Sequence, residues 1–146
     1  YYRDMAYLGH ANRIKDELNP VENLRFHGDL HSRAFEPDQA VATLKRLGLS
    51  RCIDLPCRAL SFGQRRRVAL SALLLAQASL WVLDEPLTGL DTHAVALVEG
   101  LIRDHLHAGG MVVATTNQAM KLEGVSVQRL VVGDVATPHG ASAGAH

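Results

Sequence analysis

The sequence has 146 residues, with 15 basic and 15 acidic side chains and a formal net charge of zero. That length suits one domain or part of a larger one, and a neutral chain sets up no field for nucleic acid or an acidic membrane surface. No apolar run is long enough to span a bilayer, and no apolar core follows the first residues as a secretory signal would require. The chain does not begin with Met, so its natural start is expected upstream. Cys52 and Cys57 lack the further ligands a zinc site needs, and two reduced cytosolic thiols are expected.

Residues 5–9 are a short apolar run closed by Gly9 and read as a strand. Asn19 and Pro20 then mark a helix start, as N-cap and first helical residue, with the helix running to about Leu30. A second helix starts at Glu36-Pro37, turns Ala40, Val41, Leu44 and Leu47 inward, and ends at Gly48. Residues 50–59 read as an irregular connection holding both cysteines. Ser61 with Gln64 is a capping box and opens a long helix to about Ala76. Arg65, Arg66 and Arg67 in its first turns read as a solvated face, since the chain is not basic overall. Beyond them the helix is apolar nearly all round and should be buried.

Residues 80–86 run from four apolar side chains into Asp84 and Glu85 and stop at Pro86. That is the pattern of a strand buried on both faces. After a turn at Gly89, Asp91 or Thr92 caps a helix that Gly109-Gly110 ends. Residues 111–116 read as another buried strand, leading to Asn117. Residues 127–136 read as a terminal hairpin, and the small, polar residues 137–146 as disordered. Alternating strands and helices predict an α/β fold with a mainly parallel sheet and a helical insertion.

Singly, these signals are modest. Ser61 could be only a helix cap, and Asp84-Glu85 only a solvated acidic turn at the end of a core strand. Together they point to phosphate chemistry. A helix start carrying Ser61 and Gly63 offers free backbone N–H groups and a positive dipole end to a phosphate. The strand delivers Asp84 and Glu85 to the carboxyl edge of a sheet, where open α/β folds bind ligands. In nucleotide hydrolysis one carboxylate holds the Mg²⁺ shell, and the other orients or deprotonates the attacking water.

The order of these parts resembles the ATP-binding cassette (ABC) ATPases over nearly the whole chain. Residues 60–64 are similar to their signature motif, residues 80–85 to their Walker B, and residues 89–91 to their D-loop. Asn117 stands where their switch histidine is expected, and Gly9-His10 where the Q-loop strand ends. Scattered residues extend the resemblance to the ATP-binding subunit of the haem exporter of cytochrome c maturation. They are Gly9-His10, Ile14-Lys15, Glu22-Asn23-Leu24, the arginines after Gln64, Leu80-Trp81, and Gly109-Gly110 before Thr115-Thr116 and Gln118.

The resemblance implies a P-loop NTPase-like core, with a helical signature subdomain over residues 12–78 and a Walker B and sheet part over 79–136. It implies ATP and Mg²⁺ as cofactors. Asp84 would hold the Mg²⁺ shell and Glu85 would be the general base. Ser61, Gly63 and Gln64 would meet the γ-phosphate of nucleotide on the opposite subunit, and Asp91 would couple the two subunits. His10 would sense the metal shell and the membrane partner. The expected partners are a second ATPase copy and two integral membrane subunits, at the cytoplasmic face of the bacterial inner membrane. Haem would be handled by the complex rather than by this chain. Most of the histidines, among them His10, His27, His31, His93, His105 and His107, are scattered on presumed helix surfaces or loops and are expected to be solvated.

Three departures stand out. No Gly-x-x-x-x-Gly-Lys-[Ser/Thr] occurs, so the phosphate-cradling loop is expected upstream of Tyr1. Asn117 can hydrogen-bond a phosphate but cannot carry a positive charge. Phe62 replaces a glycine of the signature. An ABC ATPase of another transporter family, or a degenerate partner that does not hydrolyse, are the alternatives. An ABC-type DNA-repair ATPase is disfavoured, because no sustained heptad is present.

Overall fold

The computed structural model describes residues 4–133. The chain runs β1 (Met5–Leu8), α1 (Pro20–Leu30), α2 (Pro37–Arg46), α3 (Phe62–Leu75), β2 (Leu80–Asp84), α4 (Thr92–His107) and β3 (Met111–Thr115). The three strands form one parallel sheet in the order β1-β2-β3. Met5 pairs with Leu80, and Asp84 with Thr115. Because the strands are parallel, the residues that follow β1, β2 and β3 all leave from one edge.

Local chemistry sets the helix starts. The Asn19 side chain accepts from Glu22 N at 2.9 Å, while the Glu22 carboxylate accepts from Asn19 N at 2.8 Å, with Pro20 at the first helical position. Ser61 and Gln64 make the same reciprocal box at α3, and Asp91 caps α4. Each such cap stabilises its helix by about 1 kcal/mol. Within the connection after α2, Cys57–Ala59 forms a 3₁₀ turn.

Two cores meet along α3. Ala69, Leu70 and Leu73 pack with Ala6, Leu8, Trp81 and Leu83 of the sheet and with Val98, Leu101 and Ile102 of α4. Val68 packs with Leu24, Ala40, Leu44, Leu49 and Leu60. The apolar circumference of α3 therefore serves two neighbours at once, which is why it shows no single apolar stripe. Burying each of these leucines contributes roughly 2 kcal/mol.

The structure corrects four expectations. β2 is half-buried on alternate residues: Trp81 and Leu83 are buried, while Leu80 and Val82 are partly exposed. Among the described residues β3 lies at the end of the sheet, with Met111 58% and Val113 60% exposed. It has one strand neighbour among the described residues, and of its side chains only Val112 packs on the core cluster; a short apolar run alone does not separate edge from centre. Residues 125–133 carry no strand, so no hairpin starts there, and 134–146 lie outside the described residues. Finally, the arginine run is not one solvated face. Arg65 pairs with Asp16 at the surface, whereas Arg66 is 1% exposed.

Candidate functional site

The site is built at the carboxyl edge of the sheet, where β2 ends in two carboxylates beside the end of β3. Thr115 Oγ1 donates to Asp84 Oδ1 at 2.7 Å. Glu85 N donates to Thr115 O at 3.0 Å and lies 3.2 Å from Thr115 Oγ1. Glu85 itself has φ +48°, the left-handed region, which costs a side-chain-bearing residue of order 1–2 kcal/mol. The sharp turn lifts its carboxylate out of the strand direction. Glu85 Oε2 then accepts from Thr88 Oγ1 at 3.3 Å and from Asn117 N–H at 3.4 Å. Asn117 thus reaches Glu85 through its backbone. Asp84, Glu85 and Asn117 are brought together, with Thr88 and Thr115 as supports that motif spacing did not single out.

Arg66 joins this centre from behind. Its Nη1 donates to Gly9 O at 2.7 Å and Asn12 Oδ1 at 2.9 Å; its Nη2 donates to Asp84 O and Glu85 O, both at 3.3 Å. Burial pushes the guanidinium pKa down, and the nearby Asp84 charge opposes that shift. The reading of Arg66 as solvated rested on its charged neighbours. On α3 it leads the buried series Arg66, Ala69, Leu70, Leu73. Arg65 stands at the same i, i+3, i+4, i+7 spacing to Val68, Ala69 and Ala72, so on a helix apolar nearly all round the spacing does not single out which arginine is buried.

The signature-like residues lie at the start of α3. Ser61 is exposed, and its Oγ accepts from Gln64 N at 3.2 Å. A Cβ placed on Gly63 would meet nothing within 4 Å, so this helix start faces open space. Gln64 is occupied in the cap and also donates to Cys52 Sγ at 3.3 Å. Phe62 is 52% exposed and lies over Gly89. Gly89 has φ +75°, and a Cβ there would come 2.6 Å from Phe62 Cε1. The start of α3 and the turn before Asp91 are therefore in contact. Asp91 Oδ1 accepts from Ala94 N at 2.7 Å, so this carboxylate also caps α4.

The donor set suits a hard cation held in part by phosphate oxygens. Asp84 and Glu85 supply carboxylates, and Mg²⁺ is commonly bound by one or two of these plus substrate phosphates. Among the described residues no three His, Cys, Asp or Glu side chains gather as a metal-holding group, so His10 does not complete one with Asp84 and Glu85. His10 is exposed, one residue beyond the Gly9 carbonyl that Arg66 holds. His105, expected to be solvated, instead stacks on Trp81 with ring centroids 3.9 Å apart, and its Nε2 lies 3.2 Å from Ser79 O. Both cysteines are free and buried. Burial pushes the Cys57 thiol pKa up, partly offset by the hydrogen bond from Asn23.

The family model described as ABC transporter matches residues 1–88. The chain belongs to the ABC transporter family. Among curated relatives, the cytochrome c biogenesis ATP-binding export protein CcmA of Nitrosospira multiformis is 48% identical over 130 residues, covering 89% of this chain and 63% of the relative. CcmA of Nitrosomonas europaea is 48% identical over 132 residues, 90% of this chain and 62% of the relative. The chain thus spans somewhat under two thirds of the length of these ABC relatives. A solved dimeric ATP-binding cassette, in a post-hydrolysis state with ADP and Pi, superposes with a TM-score of 0.70 over 80% of this chain and 53% of its own, at 22% identity. That likeness places the ABC fold. Among the described residues no helix is long and apolar enough to cross a membrane.

Proposed function

We propose that the full-length protein is the ATP-hydrolysing subunit of an ABC transporter that serves cytochrome c biogenesis, with haem as the cargo of the complex. The observation that carries this reading is the pair Asp84 and Glu85 at the end of β2, with Glu85 turned out of the strand at φ +48° and its Oε2 held by Thr88 and Asn117 N–H. In this reading Asp84 holds the Mg²⁺ shell. When bound, Mg²⁺ would neutralise charge on the transferred phosphoryl group. Glu85 orients and deprotonates the attacking water. Ser61, Gly63 and Gln64, at a helix start open to solvent, take the γ-phosphate of a nucleotide seated on a second copy of the subunit. Asp91 reports between the copies, and the turn at Gly89 beneath Phe62 ties it to the signature.

Residues 12–78 act as the helical subdomain that faces two integral membrane subunits, with His10 at the contact, on the cytoplasmic face of the inner membrane. The CcmA relatives and the family resemblance support this assignment of cargo and partners. A second reading rests on Asn117: a neutral residue at the switch position fits a partner that dimerises without hydrolysing. The test is steady-state ATP turnover of the full-length protein and its Glu85→Gln variant. A fall of at least about 100-fold is expected from loss of a general base. Equal rates would overturn the hydrolytic reading in favour of the second.

A further inference from the structure

Arg66 is an unusual residue to bury. At 1% exposure it has lost its water, and its four hydrogen-bond acceptors are all uncharged: three backbone carbonyls and the Asn12 side-chain amide. Its Nε is buried with no hydrogen-bond partner among the described residues. An apolar side chain of similar volume would fill the same space without the desolvation cost, so packing does not account for a guanidinium here. What the fork does reach is specific. The carbonyls of Asp84 and Glu85 belong to the peptide groups on the two sides of Glu85, and one nitrogen, Nη2, holds both. Those two peptide groups define the backbone turn at φ +48° that aims the Glu85 carboxylate. The other nitrogen, Nη1, ends on Gly9 and Asn12, in the loop that leaves β1 57 and 54 positions earlier in the chain.

We propose that Arg66 is a positioning residue for Glu85: it clamps the peptide groups flanking the carboxylate and anchors that clamp to the loop after β1. The direction of the base therefore depends on where residues 9–12 sit. This deepens the hydrolytic reading above and rests on it. A lysine keeps the charge but presents a single nitrogen in place of the fork, so it cannot bridge the Gly9–Asn12 loop and both peptide carbonyls at once.

The test uses the full-length protein, with kcat, KM for ATP, the thermal midpoint and ATP-induced dimerisation measured for Arg66→Lys, Asn12→Ala and Glu85→Gln. Arg66→Lys is expected to lower kcat by about 10-fold or more, as misplacement of a catalytic group does, with KM within about twofold and dimerisation intact. Asn12→Ala, at a partly exposed position with little folding risk, is expected to lower kcat by about threefold with KM unchanged. Unchanged kcat in Asn12→Ala together with unchanged kcat in Arg66→Lys, or with an Arg66→Lys protein that does not fold, overturns the proposal. A loss expressed in KM or in dimerisation also overturns it. If Glu85→Gln is inactive while Arg66→Lys runs at the parental rate, only the positioning role fails. If Glu85→Gln retains full turnover, the hydrolytic reading itself fails.

Discussion

Replacing Gly89 by alanine tests whether the contact between the start of α3 and the turn after β2 exists as described. Two costs arise. The backbone at φ +75° disfavours a Cβ; a left-handed conformation costs about 1–2 kcal/mol, and the reduced entropy of the unfolded chain returns up to about 1 kcal/mol, leaving roughly 1 kcal/mol. The new Cβ would also stand 2.6 Å from Phe62 Cε1. Phe62 is half exposed and can swing away, at the cost of an off-rotamer side chain, about 1 kcal/mol. Gly89→Ala should therefore destabilise the parental protein by about 2 kcal/mol, but a Phe62→Ala background by only about 1 kcal/mol. The difference is read from thermal midpoints of the four proteins in a double-mutant cycle. A coupling near 1 kcal/mol corresponds to roughly 2–4 °C for a protein of this size class. Equal effects of Gly89→Ala in both backgrounds would refute the contact.

Two further outcomes follow from burial. Leu44 is 0% exposed in the cluster with Leu24, Leu49 and Val68, so Leu44→Ala should cost about 3 kcal/mol through lost transfer energy and a residual cavity, measured by denaturant unfolding. Burial raises the Cys57 thiol pKa, so the folded state holds that proton more tightly than the unfolded chain does. The stability this contributes is fully present below the unfolded thiol's range and is lost as pH rises through the raised folded value. Thermal midpoints followed into the alkaline range should fall more steeply for the parent than for Cys57→Ala; parallel curves would contradict the assigned shift.

Much of the architecture is legible in the sequence because it is set over short distances. Asn19 with Glu22, Ser61 with Gln64 and Asp91 with Ala94 N are caps closed within three residues, and an N-cap needs nothing from the rest of the fold. The same holds for the apolar run into Asp84 and Glu85, which announces both a strand and the charges at its end. The residues proposed to act on nucleotide could thus be named from their order along the chain. Their mutual geometry could not.

Three features were decided only by tertiary structure. The place of β3 at the end of the sheet among the described residues depends on which strands pair, and Met111 and Val113 read the same in a central strand as at an edge. The left-handed turn at Glu85 sits against the Thr115 and Arg66 contacts, 30 and 19 positions away in the chain, which local sequence does not specify. The burial of Arg66 follows from the meeting of the ends of β1 and β2 behind α3, where four uncharged acceptors converge on one guanidinium. A charged side chain is written in the sequence as polar. Whether it faces water or is enclosed by carbonyls depends on where distant segments end, and that is a property of the packed chain alone.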